Sequence, residues 1–321
     1  MHVAVCCITF RRPEGLRRLL DGLNGLAFSK APAPHVTIVV VDNDGAAPMR
    51  ALVESLRPTF RWSLLYDCEP AQGLSNARNR SLERVPPGAD YVAFIDDDEV
   101  PAPVWLDELL HIARTFAAPI VQGPIVPVFP QKAPAWLRRG RFLEQGPYQD
   151  GADLHFASTN NSLVDFTVIR RLRLRFDEAF NRTGGEDQRF FSCAIKAGYH
   201  VVTAGKALVH ESIPEDRATL GYLLRRRFRM GNTLAMLDRM EGGRGLLVRR
   251  VFKSGGRIAL GLVQSVVLSP KGLAGVATGL CNASWGAGAL AGLFGILHRE
   301  YDPGLHAGGD FYPPRRPKLW S

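Results

Sequence analysis

Short apolar runs alternate with amphipathic stretches through the first third of the chain. Val3–Thr9, His35–Asp42, Trp62–Asp67 and Tyr91–Asp96 are continuous and rich in β-branched residues, as strands covered on both faces are. Between them, Pro13–Leu26, Ala47–Leu56, Leu74–Val85 and Pro103–Phe116 read as helices, the first with proline in its first turn. This strand–helix alternation predicts an α/β fold, a mostly parallel sheet flanked by helices.

The rhythm weakens after Pro119. Pro119–Pro134 is proline-rich and reads as extended, and Phe156–Ile169 as a strand that runs into a short basic segment. Glu186–Ala197 reads as a helix entered through Gly184-Gly185, Tyr199–Thr203 and Ala207–His210 as short strands or loop, and Ala218–Met240 as a basic helix. From Gly242 the composition shifts, and Gly272–Leu297 is a stretch of 26 residues with seven glycines and no charged side chain. The expected division is a domain over 1–240 and a basic, apolar helical extension over 241–321.

Composition adds little, and charge adds more. With 46% hydrophobic and 22% charged residues over 321 positions, the chain is globular rather than disordered or fibrous. Its five cysteines show no metal-binding spacing, Met1–Arg12 does not read as a signal peptide, and reduced thiols in a cytoplasmic setting are expected. The net charge of +9 is concentrated: Arg217–Arg257 holds eleven Lys/Arg against Asp238 and Glu241, so the rest of the chain sums to zero. A single basic block points to an anionic surface or substrate: lipid headgroups, phosphate or nucleic acid.

Candidate chemistry gathers where ligands bind α/β sheets, beyond the carboxyl ends of the strands. Strand one ends in Thr9 followed by Arg11 and Arg12, strand two in Asp42-Asn43-Asp44-Gly45, strand four in Asp96-Asp97-Asp98-Glu99. Four consecutive acids repel one another unless a cation sits among them, and hard carboxylates suit Mg²⁺ or Mn²⁺; the alternative is an acidic cap on the following helix. Asp42 and Asp44 can bind a base or ribose, or simply form a turn. In Gly73–Arg80, Arg78 and Arg80 can reach a diphosphate or form a solvated basic face. Glu186 and Asp187 start a helix after two glycines, which suits a carboxylate that takes a proton as well as one that caps the helix. His210 can complete a metal site or be structural.

Taken together, Thr9, Val41–Asp44, Gly73–Asn79, Phe94–Asp98, Gly184–Asp187 and His210 resemble the family 2 glycosyltransferases in order and spacing, over about residues 1–235. Thr9–Pro13 and Arg229–Asn232 look most like the succinoglycan-type exopolysaccharide transferases. The resemblance implies a GT-A (Rossmann-like) fold and inverting, metal-dependent transfer from a nucleotide-diphospho-sugar, with UDP as the nucleotide. It implies nucleoside contacts from Thr9 and Asp42, with Asp44 alongside, and Arg78 near the donor. It places Asp96 near the ribose, Asp98 on a Mn²⁺ or Mg²⁺ ion with His210 as a further ligand, and Asp187 as general base. No Gln-x-x-Arg-Trp follows His210, so addition of a single sugar is expected, to a glycan or polyprenyl-diphosphate-linked acceptor in cell-surface polysaccharide synthesis.

The basic block beside an apolar tail predicts peripheral or re-entrant association of the 241–321 extension with the inner face of the cytoplasmic membrane; the alternative for Gly272–Leu297 is a soluble core hairpin of two glycine-rich helices or an oligomer interface. The competing readings are a sugar nucleotidyltransferase and a non-catalytic basic protein binding membrane or nucleic acid. The first would carry a Gly-rich basic loop after strand one, which Thr9–Pro13 lacks. Nucleic acid is not an expected partner of the transferase.

Overall fold

Residues 1–30, 32–45 and 47–301 are described by the computed structural model. The first third follows the alternation of the sequence closely: β1 (His2–Thr9), α1 (Pro13–Asn24), β2 (His35–Asp42), α2 (Ala47–Leu56), β3 (Ser63–Cys68), α3 (Leu74–Glu83) and β4 (Tyr91–Ile95). Then come β5 (Glu99–Pro101), α4 (Trp105–Thr115), β6 (Ile120–Gln122), β7 (Ile125–Val128), α5 (Ala135–Gly140), β8 (Asp153–Leu154), β9 (Asn161–Asp165), α6 (Phe166–Leu172), α7 (Glu186–Lys196), β10 (Val201–Thr203) and β11 (Val209–Ser212). Three long helices close the described chain: α8 (Leu220–Glu241), α9 (Arg244–Val267) and α10 (Leu273–Leu293).

The main sheet has the order β3-β2-β1-β4-β9-β6-β10-β8, and β5-β11-β7 form a small second sheet. Strands β3, β2, β1 and β4 are mutually parallel, and β9 enters antiparallel between β4 and β6. Side chains alternate across each strand. Val3, Val5 and Cys7 therefore join Leu16, Leu20 and Trp105 in one core, while Ala4 and Cys6 join Phe94, Phe176 and Phe190 in the other. Both faces of β1 are buried, which is why its sequence is an unbroken apolar run. All five cysteines are free.

The sequence reading of Phe156–Ile169 as one strand needs correction. Only Asn161–Asp165 is strand; α6 starts at Phe166, because the Asp165 side chain caps it by accepting from the Thr167 N–H at 2.7 Å.

The glycines of 272–297 serve close packing between helices within the protein. Gly231 of α8 approaches so closely that a Cβ would lie 2.0 Å from the Trp285 carbonyl oxygen, and one on Gly288 would lie 1.9 Å from that of Phe228. Gly261 and Gly279 make the same kind of contact between α9 and α10. The small residues of α10 thus seat it against both neighbouring helices. No helix among the described residues is long and apolar enough to cross a membrane.

One buried polar side chain ties the two sheets together. Asn161 is fully buried; its amide donates to the Pro124 and Ala207 carbonyls at 2.9 and 2.7 Å and its oxygen accepts from the Trp105 indole at 2.7 Å. Asn161→Ala leaves three buried polar groups without their partner. It is expected to cost about 2–4 kcal/mol of stability, read from urea unfolding.

Candidate active site

The carboxyl ends of β1, β2 and β4 bring Thr9, Asp42 and the Asp96–Asp98 turn to one edge of the sheet. Thr9 pairs in register with Asp42, and its hydroxyl donates to Asp97 Oδ2 at 2.8 Å. Arg12, just before α1, donates to Asp97 Oδ1 at 2.8 Å and Asp98 Oδ2 at 2.9 Å. Burial alone would lower the Arg12 pKa, but Asp97 and Asp98 outweigh it and hold the guanidinium above its ordinary range. Burial pushes Asp97 up to about 6, with Arg12 pulling down and Asp98 pushing further up.

Asp42 is fully buried and accepts from the Tyr66 hydroxyl at 2.9 Å and the Asp44 N–H at 3.0 Å. Asp44 is held by both Nε and Nη2 of Arg11, at 2.9 Å each. Asn43, between them, donates to the Glu69 and Ala71 carbonyls and accepts from the Gly73 N–H at 2.8 Å. The second strand end and the loop before α3 are therefore one hydrogen-bonded unit.

Arg78 projects from α3 and is 5% exposed, too little for a solvated basic face. It donates to Asp96 Oδ1 at 2.9 Å and to Glu186 Oε1 at 3.1 Å, joining the acidic turn after β4 to the start of α7. Arg80, two residues on, instead pairs with Asp67 and Glu83 on the surface.

The turn into α7 requires its glycines. Gly184 and Gly185 have φ of +70° and +98°, and a Cβ would lie 2.8 Å from Arg229 Nη1 at the first and 2.1 Å from Thr233 Cγ2 at the second. Asp187 follows and is half-buried. Burial and the neighbouring Glu186 push its pKa up to about 7, against the pull of Arg78. A carboxylate so poised takes a proton near neutral pH.

His210 does not join the acids. Its neighbour Glu211 is paired in register with Glu99, and the Glu211 carboxyl is raised by burial, lowered by Arg226 and raised again by Asp98. Glu211 therefore faces the Asp98 side, and alternation turns His210 to the other face of β11. Among the described residues no three His, Cys, Asp or Glu side chains converge to hold a metal. The donors that remain are Asp96 and Asp98: each is half-exposed, and each keeps one carboxylate oxygen that no described residue donates to. Two hard oxygen ligands fit Mg²⁺ or Mn²⁺ completed by water and phosphate, rather than an all-protein cage.

Several site residues were not among the sequence candidates. Arg217 reaches Asp98 Oδ2 at 3.5 Å, while Arg226 and Arg229, spaced i, i+3 on α8, act on Glu211 and on Glu300 and Asp187 respectively. The signals in the sequence were the basic block that begins at Arg217 and the Arg229–Asn232 resemblance, neither of which named the partners. Tyr301 had none: after α10 the chain returns so that the Tyr301 N–H donates to the Arg182 carbonyl at 3.0 Å, its ring lies by Gly184, and Glu300 pairs with Arg229 at 2.5 Å.

Comparison with known proteins agrees with this geometry. Residues 4–173 match the family model described as glycosyl transferase family 2. The chain is 37% identical over 234 residues to the succinoglycan biosynthesis protein ExoM of Rhizobium meliloti (strain 1021), covering 73% of this chain and 74% of that one. Its fold resembles the mannosyltransferase PcManGT from Pyrobaculum calidifontis in complex with GDP-Man and Mn²⁺, with a TM-score of 0.60 at 17% identity over 91% of this chain and 87% of that one. It also resembles S. aureus TarS 1-349 in complex with UDP-GlcNAc, with a TM-score of 0.53 at 15% identity over 95% and 98%. With its GT-A sheet and the acids and arginines gathered at the sheet's carboxyl edge, the chain belongs to glycosyltransferase family 2 and is a nucleotide-sugar-dependent glycosyltransferase.

Proposed function

We propose that the protein adds a single sugar, with inversion, from a nucleotide-diphospho-sugar to an acceptor hydroxyl on a glycan or polyprenyl-diphosphate-linked chain at the inner face of the cytoplasmic membrane. The observation that carries this reading is the Arg78 bridge, which joins Asp96 of the acidic turn to Glu186, the neighbour of Asp187, through one guanidinium. UDP is the first nucleotide to test, on the family resemblance. The likeness to a succinoglycan biosynthesis protein supports a role in cell-surface polysaccharide assembly.

In this mechanism Thr9, Asp42 and Asp44 line the nucleoside side of the site, and Asp96 meets the ribose. Asp98, with Asp96 beside it, would hold Mn²⁺ or Mg²⁺, which when bound supplies positive charge against the diphosphate. Arg12 and Arg217 already lie on Asp98, and Arg78 on Asp96, so the guanidinium groups stand where the leaving diphosphate gathers charge. The bond from the anomeric carbon to phosphate oxygen breaks as the bond to the acceptor oxygen forms. The electron pair leaves with the nucleoside diphosphate, and the acceptor proton passes to Asp187. Its poised pKa lets it be ionised before attack and hold the proton afterwards.

Asp98 is tested by thermal shift with UDP, GDP, ADP and CDP, with and without Mn²⁺. One nucleotide should stabilise the protein only with Mn²⁺, and Asp98→Asn should abolish that shift. No shift for folded protein with any of the four would overturn the donor-site reading.

Asp187 sets both activity and pH dependence. Its folded pKa lies above the ordinary carboxylate value, so its ionised form works against folding: that contribution to stability is complete below about pH 4 and lost as pH rises through about 7. Asp187→Asn should therefore raise stability at pH 8 by on the order of 1–2 kcal/mol, with the gain vanishing in acid. It should also lower kcat by roughly 10²–10⁴-fold while nucleotide binding persists. In the parent enzyme kcat/KM should rise with pH through about 7. A flat profile from pH 5 to 8, with conservation of activity in Asp187→Asn, would remove it as the base.

A further inference from the structure

Helix α9 is built inside out. Its inward side is polar. Arg250 pairs with Asp238 of α8; Arg257 stacks on Trp285 at 4.0 Å and donates to Asn282 Oδ1 at 3.2 Å; Gln264 accepts from Asn282 Nδ2 at 2.7 Å. Its outward side carries Val248, Phe252, Leu260, Val263, Val266 and Val267, all exposed, with Phe252 at 76% and Val266 at 73%. At 100° per residue, Val248, Phe252, Val263 and Val266 fall within a quarter of the helix circumference, opposite Ser254 and Gly261, which face the protein. A water-facing helix of a soluble domain shows the reverse polarity.

We propose that the outward face of α9 is the surface that lies on an anionic lipid bilayer, with the helix in the plane of the membrane. The inference rests on the membrane-side reading of the acceptor for the nature of the surface, but not on the transfer chemistry. Length and charge decide how the helix sits. The 24 residues of α9 extend about 36 Å, yet Arg249, Arg250, Lys253 and Arg257 interrupt it, so it does not cross. Arg249 and Lys253 are exposed along one border of the apolar face, and Lys271 is exposed beyond its far end, positions from which cations reach headgroups while the apolar face enters the acyl boundary. A second copy of the chain is the poorer occupant, because apposed α9 helices would bring these cations together. Within the extension expected from the sequence, Gly272–Leu297 is used inside the protein, since the small residues of α10 are packed against α8 and α9.

The test is flotation of the full chain, without sugar nucleotide, with vesicles of phosphatidylcholine mixed with phosphatidylglycerol and with phosphatidylcholine alone. The parent protein should float with the mixed vesicles. The double variant Phe252→Asp/Val263→Asp should bind at least about tenfold more weakly, with an unchanged thermal midpoint because both side chains are exposed. Arg249→Glu/Lys253→Glu should remove the preference for the anionic vesicles. If the aspartate variant floats like the parent, the assignment to α9 is overturned while the membrane-side reading stands. If the parent protein floats with neither vesicle, both fall, and the Asp98 thermal shift still reports on the donor site. A dimer in light scattering that the aspartates dissociate, without flotation, makes the face a contact between copies and overturns the lipid assignment.

Discussion

The buried Arg78 guanidinium is the element around which the site is arranged. Asp96 and Glu186 come from segments 90 residues apart in the chain; Glu186 is buried, Asp96 is partly exposed, and both meet the one buried guanidinium. Without a cation between them, the turn after β4 and the start of α7 would repel. Removing one partner of such a buried pair costs about 3–5 kcal/mol, because a charge is left behind without compensation. Arg78 itself is positioned by the loop before α3, which Asn43 ties to the end of β2. Sheet edge, helix start and loop are thus coupled through one side chain.

The same charge logic extends outward. Arg12 and Arg217 meet on Asp98, Arg226 faces Glu211, and Arg229 pairs with Glu300. Burial would raise the Glu300 pKa, yet Arg229, with His298 and Arg217, holds it below its ordinary value. The acids and guanidinium groups compensate one another in the chain as it stands. The double glycine before α7 makes this compactness possible, because no side chain at Gly184 or Gly185 would leave room for Arg229, Tyr301 and Thr233.

The helical end of the molecule applies the opposite rule on its two sides. Between α8, α9 and α10, glycine and alanine allow backbones to meet, and Arg250, Arg257 and Gln264 of α9 find their partners inward. Outside, α9 shows branched and aromatic side chains to its surroundings. Middling hydropathy in α10 and a mixed composition in α9 therefore conceal a clear division, visible only when the direction of each side chain is known.

Much of the fold was legible in the chain itself. Continuous, β-branched apolar runs such as His35–Asp42, alternating with amphipathic stretches, read as strands covered on both faces, and in a parallel sheet the polar residues ending them collect at one edge. Glycine pairs and acid runs marked the turns at Asp96–Asp98 and Gly184–Asp187 for the same local reasons. What needed three dimensions was everything that depends on direction and distance along the chain. Strand pairing turned His210 away and Glu211 inward, a consequence of register that sequence spacing does not contain. The cap at Asp165 ended a strand that composition would have continued. Tyr301 reached the site through a chain reversal after α10, and α9 rather than α10 received the exposed apolar face. Sequence determines which residues are apolar, charged or free to turn, because those are properties of single side chains. Tertiary structure decides which of them meet, because contact is a property of pairs.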